Sequence, residues 1–143
     1  MKVVDSPAGV ARLVGEVAAG PEDVYRYFTD PELLVRWWSE NAVVDQRSQS
    51  YELAWPSRGV RLLGDYLVTE PGRRLAFTWG YAHESSPRRT VDINFAPSDG
   101  ETRLTIEHTH GDDPDERQEY IDGWKALIER LRTVIAGGGS AQH

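Results

Sequence analysis

Near its C-terminal end the chain changes period. Tyr120, Ile121, Trp124, Leu127, Ile128, Leu131 and Ile135 recur at i, i+3, i+4 and i+7, the spacing of one helix face. The run begins behind Asp113–Pro114–Asp115–Glu116, which combines an N-cap, a proline preset for the first helical position and acidic first-turn residues. Gly137 is the expected stop. One apolar stripe on so long a helix must be buried against a second layer. The preceding residues supply that layer, because they alternate with the period of strands.

The strand series is expected over residues 42–47, 50–55, 60–69, 74–81, 90–95 and 103–110, after a first strand over 10–18. Turn chemistry separates the members: Pro56–Ser57, Glu70–Pro71–Gly72, Ser85–Ser86–Pro87 and Pro97–Ser98–Asp99–Gly100. Leu75, Phe77, Trp79 and Tyr81 share one face, as do Val91, Ile93 and Phe95, and as do Leu104, Ile106, His108 and His110. The opposite faces carry Arg74, Thr78, Asp92, Asn94, Arg103, Thr105, Glu107 and Thr109, which suit water. This is an antiparallel meander with one wet face and one covered face. Two short helices are expected after the first strand. Gly20–Pro21 with Glu22 and Asp23 opens one, and Asp30–Pro31–Glu32 repeats the signal for a second that runs to about Trp38.

Composition removes several classes of function. The 143 residues fit a single domain, and no apolar run approaches the ~20 residues of a membrane span. The first residues, MKVVDSPAGVARL, do not read as a signal peptide, and the absence of Cys fits the cytoplasm. A net charge of −7 with no Lys/Arg cluster argues against nucleic acid. The expected extent is one domain over residues 1–137, with the linker-like 138–143 as a flexible tail. The oligomeric state stays open between monomer and homodimer.

The order of elements and the residues at their joints carry a resemblance. The segments are AGPEDVY at 19–25, TDPE at 29–32, RWW at 36–38, EPGRRLAFTW at 70–79, TRLTIEH at 102–108, and Gly123–Trp124 with Leu127 and Leu131. Over residues 8 to 136 the chain resembles the START-like (SRPBCC, Bet v 1-like) domains, specifically the group related to the activator of Hsp90 ATPase. The resemblance implies an α+β, helix-grip fold. In it a seven-stranded antiparallel sheet wraps a long C-terminal helix, two short helices follow strand 1, and a cavity lies between sheet and helix. One departure is local: the family usually has a Gly-Gly pair in the turn after the second strand, where this chain reads Gln46–Arg47–Ser48–Gln49–Ser50–Tyr51.

On that layout Trp37, Trp38, Trp55, Phe77, Trp79, Tyr81, Ile93, Phe95, His108, Trp124 and Leu127 are the candidate cavity lining. Rings filling a solid core are the alternative; buried indoles need N–H partners, and that favours a partly wet space. Gly123, inside the last helix, permits close approach to the sheet, leaves room for something else, or is simply tolerated. His108 and His110 lack the further ligand a metal needs, since Asp112 and Asp113 belong to a turn or N-cap, and His83 stands apart; no metal and no cofactor are expected. No nucleophile motif, thiol or phosphate loop is present, and Glu70 and Asp65 lack carboxylate partners.

Three functions follow, in this order. The first is binding of a small hydrophobic or aromatic molecule between sheet and C-terminal helix. The second is a cavity enzyme of the polyketide cyclase/aromatase type, with His108 or Tyr81 moving a proton. The third is partnership with an Hsp90-type chaperone, resting on the resemblance alone.

Overall fold

The structure, a computed structural model, describes residues 1–84 and 88–141, with side chains described to residue 137. The Ser85–Ser86–Pro87 turn lies outside the described residues. Among the described residues eight strands form one antiparallel sheet: β1 (Lys2–Val4), β2 (Val10–Val17), β3 (Asn41–Asp45), β4 (Ser50–Trp55), β5 (Val60–Glu70), β6 (Arg74–Tyr81), β7 (Arg89–Ser98) and β8 (Glu101–Thr109). Their spatial order is β1-β2-β8-β7-β6-β5-β4-β3. Strands β3 to β8 therefore form a meander, and β2 closes onto the last of them. The helix-grip expectation holds, with one strand more than the seven expected: β1 pairs its three residues with Val14, Leu13 and Arg12 of β2. Three residues are too few to display an alternation, so pairing rather than pattern makes this strand.

The two short helices are α1 (Pro21–Thr29) and α2 (Pro31–Trp37), hinged on one residue. Asp30 ends α1 and caps α2, its Oδ1 accepting from the Glu32 N–H at 2.9 Å. The long helix α3 (Pro114–Ala141) does not stop at Gly137. Glycine costs a helix about 1 kcal/mol relative to alanine but removes no hydrogen bond, unlike proline. The expected tail at 138–143 falls on residues whose side chains, and at 142–143 whose backbone, lie outside the described part.

The grip is a sandwich of the sheet's concave face and α3. Ile121, Trp124, Ile128, Leu131 and Ile135 are the buried stripe of α3, and they meet Leu13, Ile93, Leu104 and Ile106 from the strands in one core. The solvent face carries cross-strand ion pairs, among them Arg12–Glu107, Arg103–Glu16 and Arg74–Asp92. Half-buried to exposed surface pairs of this kind are each worth about 0–1 kcal/mol and lie on the face away from α3, so the buried apolar face holds the sheet to its helix. At the start of α3 a firmer tie exists. Arg89 of β7 donates two hydrogen bonds to Glu116, at 2.7 and 3.0 Å, and Glu116 also accepts from the Gly111 N–H and the Tyr120 hydroxyl.

Two local features shape the sheet. Gly64 of β5 sits where a Cβ would lie 1.9 Å from the Thr78 carbonyl oxygen and 2.7 Å from the Tyr51 hydroxyl oxygen. Its bare backbone is what lets Tyr51 of β4 reach over and donate to Thr78 O at 2.6 Å. At the β3–β4 tip, where the glycine pair of the resemblance is missing, Gln49 adopts the left-handed φ of 54°. Asp45 steadies that tip by accepting from the Arg47 and Ser48 N–H groups.

Candidate functional site

A row of rings runs from α1 through the core to α3. Phe28 meets Phe95 and Trp37, Trp37 meets Trp38, Trp38 meets Trp124, and Trp124 meets Trp79, with centroids 5.0 to 5.9 Å apart. Position along this row decides which rings are core. Trp37 donates its indole N–H to Tyr27 O at 2.9 Å and is closed off. Phe77 packs edge-on against Tyr51, and Phe95 against Tyr25 and Phe28. Ile93 is wholly buried.

Beside the row, between α3 and the β4–β6 end of the sheet, lies a cavity of about 310 Å³. Trp38, Trp79 and Trp124 form its buried surface, and Trp55, Val60, Tyr81, Tyr120 and Leu127 its half-buried walls. Arg58, Glu119 and Arg130 are exposed at its edge, so it opens to solvent. Gly123 also lines it, and a Cβ built there meets nothing within 4 Å. Of the three readings open for that glycine, close approach to the sheet is overturned; the backbone faces free space.

Among the sequence candidates, then, Trp38, Trp55, Trp79, Tyr81, Trp124 and Leu127 come together around this space. Trp37, Phe77, Ile93, Phe95 and His108 do not line it. Arg58, Val60, Glu119, Tyr120 and Arg130 were not singled out as lining. A signal for part of this set exists: Glu119, Gly123, Leu127 and Arg130 repeat at helical spacing along one flank of the apolar stripe.

His108 is fully buried among the rings of Trp79, Tyr120 and Trp124, and it stacks on Tyr120 with centroids 3.7 Å apart. Trp124 Nε1–H donates to His108 Nδ1 at 2.9 Å. An indole nitrogen can only donate, so the neutral His108 ring carries its proton on Nε2. Burial holds its pKa down at about 3. With one nitrogen engaged and the other buried without a partner, His108 is a structural member of the ring row. His110 is not its inward neighbour. It lies past the end of β8, its Nδ1 within 2.7 Å of Gly111 O, beside the residues that join β1 to β2. The strand has ended there, so alternation no longer fixes the side chain.

The indoles differ in one respect. Those of Trp37, Trp55 and Trp124 donate to Tyr27 O, Trp38 O and His108 Nδ1. Trp79, a cavity residue, keeps a buried Nε1–H with no partner. The Tyr81 hydroxyl also has no hydrogen-bond partner among the described residues, and burial raises its pKa, so it is a neutral phenol. Among the described residues no group of three or more His, Cys, Asp or Glu could hold a metal, and no helix is long and apolar enough to cross a membrane.

Residues 18–136 match the family described as activator of Hsp90 ATPase homolog 1-like protein. Solved structures share the fold. DynU16, a protein of the dynemicin biosynthetic locus, superposes with a TM-score of 0.81 at 22% identity over 92% of this chain. This chain spans 49% of DynU16, about half its length. CalU16 from Micromonospora echinospora has a TM-score of 0.73 at 26% identity, covering 95% of this chain and 81% of its own. MLL2253 from Mesorhizobium loti has a TM-score of 0.75 at 23% identity, covering 89% and 96%. No curated protein matches the sequence.

Proposed function

The chain belongs to the activator of Hsp90 ATPase homolog 1-like family, and from that premise we propose that it binds a small hydrophobic or aromatic molecule in the cavity between the sheet and α3. The observation that carries this is the free space of about 310 Å³ against three buried indoles, with Gly123 withholding a side chain from it. That volume lies at the lower end of the range for small-molecule sites, roughly 300 to 1,000 Å³, which suits two or three fused rings. Similarity to a protein of a biosynthetic locus is in keeping with a small-molecule ligand. Thermal-shift screening with fused-ring aromatics tests the reading: a binder at a hundred times its Kd stabilises by about 2.7 kcal/mol. Absence of any shift across apolar and aromatic probes, at concentrations up to their solubility, would overturn it.

A second reading is catalysis in the same space, favoured by the unpartnered Tyr81 hydroxyl. His108 is unsuited to it, since its one basic nitrogen already accepts from Trp124. If a substrate exists, Tyr81→Phe lowers kcat and leaves KM nearly unchanged; equal loss from both would indicate a binding role. The family's description also supports an Hsp90-type partner, for which ATPase stimulation by the purified chain is the direct assay.

A further inference from the structure

The polar groups around the cavity are not balanced between donors and acceptors. Trp79 Nε1–H is buried, unpartnered and able only to donate. Leaving such a donor dry costs about 1–3 kcal/mol, which an acceptor atom from a ligand would recover. At the edge stand two guanidinium groups, those of Arg58 and Arg130, and neither has an ion pair or side-chain hydrogen bond among the described residues. Other arginines divide: Arg61 pairs with Glu52 and Arg74 with Asp92, while Arg36 and Arg117 also have no ion pair among the described residues, so what distinguishes Arg58 and Arg130 is their place at the edge of the cavity. The carboxylate that acts on Arg58, Glu40, is turned to Ser57, accepting from both its N–H and its hydroxyl.

One carboxylate, Glu119, also lines the cavity. It stands eleven residues from Arg130 on α3, about 16 Å along the axis, and its charge acts on Tyr81. The edge of the cavity therefore carries two cations and one anion, with the anion and Arg130 well apart along the helix. In a chain of net charge −7 no long-range field draws an anion in, so any preference for one must be set within the ~8–10 Å reach of these two arginines.

Building on the cavity-binding reading, we infer that the ligand is an aromatic acid. Its fused rings lie against Trp38 and Trp124, an acceptor oxygen takes the Trp79 N–H, and its carboxylate meets Arg58 and Arg130. Guanidinium forks suit a carboxylate, and indole faces suit a planar ring system.

Calorimetric titration with 6-hydroxy-2-naphthoate, whose ring oxygen can accept from Trp79, and with its neutral isostere 6-hydroxy-2-naphthamide tests this on the full chain. The acid is expected to bind at least about tenfold more tightly at low salt, with the preference shrinking as salt is raised. In Arg58→Gln/Arg130→Gln, where both changes are at exposed positions and leave the fold intact, the two probes bind alike. Trp79→Phe, which keeps a ring and removes the donor, weakens both probes without abolishing the preference. Equal affinity of acid and amide for the unaltered chain overturns the inference and leaves the cavity reading standing. A preference that survives loss of both arginines also overturns it. Binding of neither probe overturns the inference, and the cavity reading falls with it only if the wider panel of apolar and aromatic probes also gives no shift.

Discussion

His108 and Trp124 tie the sheet to α3 with one hydrogen bond, and the tie has a pH signature. The folded pKa of His108, about 3, lies below the ordinary value of 6.5 because burial disfavours the charged ring. The unfolded chain therefore binds a proton that the folded chain refuses. Stability is full above pH 6.5 and falls as pH drops from there toward 3, by up to roughly 1.4 kcal/mol per pH unit. Chemical denaturation at several pH values should show this decline beginning well above the carboxylate range. His108→Asn should flatten it, while costing about 2 kcal/mol at neutral pH from lost packing and a poorer partner for Trp124. An unchanged slope in that variant would remove His108 as its source. Gly64 gives a second residue-scale test. With Thr78 O and Tyr51 in the way of any Cβ, Gly64→Ala should destabilise by about 3 kcal/mol, read as a lower denaturation midpoint.

At the scale of elements, the start of α3 is held by the Arg89–Glu116 pair, whose guanidinium keeps the Glu116 carboxyl near pKa 2. A depressed carboxylate contributes stability above its unfolded pKa of 4.5 and loses it as pH falls toward 2. Glu116→Gln should therefore lower stability at pH 7 and lose less on acidification through that window. The β3–β4 tip behaves oppositely. Gln49 holds a left-handed φ that glycine takes freely, so Gln49→Gly should stabilise by about 1 kcal/mol or less, visible as a higher Tm. Helix starts were readable because proline, Asp caps and acidic first turns act locally, as at Pro21, Pro31 and Pro114. The strands from 42 onward were readable because their alternation is long. Strand β1 was not readable, since three residues show no period, nor was the end of α3, because glycine weakens a helix without ending it.

For the whole molecule, the sheet and α3 enclose both a solid core and an open pocket, and one alternation pattern serves both. Phe77 and Trp79 share a face of β6, yet Phe77 packs against Tyr51 and Trp79 faces the cavity residues. Nothing local distinguishes them; the crossing of α3 over the sheet does. That is why the sequence could nominate aromatic lining but could not divide Trp38, Trp55 and Trp124 from Trp37 and Phe95. The rim was missed for a related reason. Arg58 sits in a turn and Arg130 on an exposed helix flank, and each reads alone as ordinary solvated charge.

The central claim is that the space beside Gly123 is there to be occupied. It is tested most directly by filling it from the helix: Gly123→Phe, assayed for Tm and for aromatic-probe affinity. Since an added Cβ meets nothing and the cavity has room for a ring, the change should leave Tm equal or slightly higher, phenylalanine being a better helix former than glycine by roughly 0.5 kcal/mol, and should abolish probe binding. Undiminished binding in a folded Gly123→Phe protein would contradict the account.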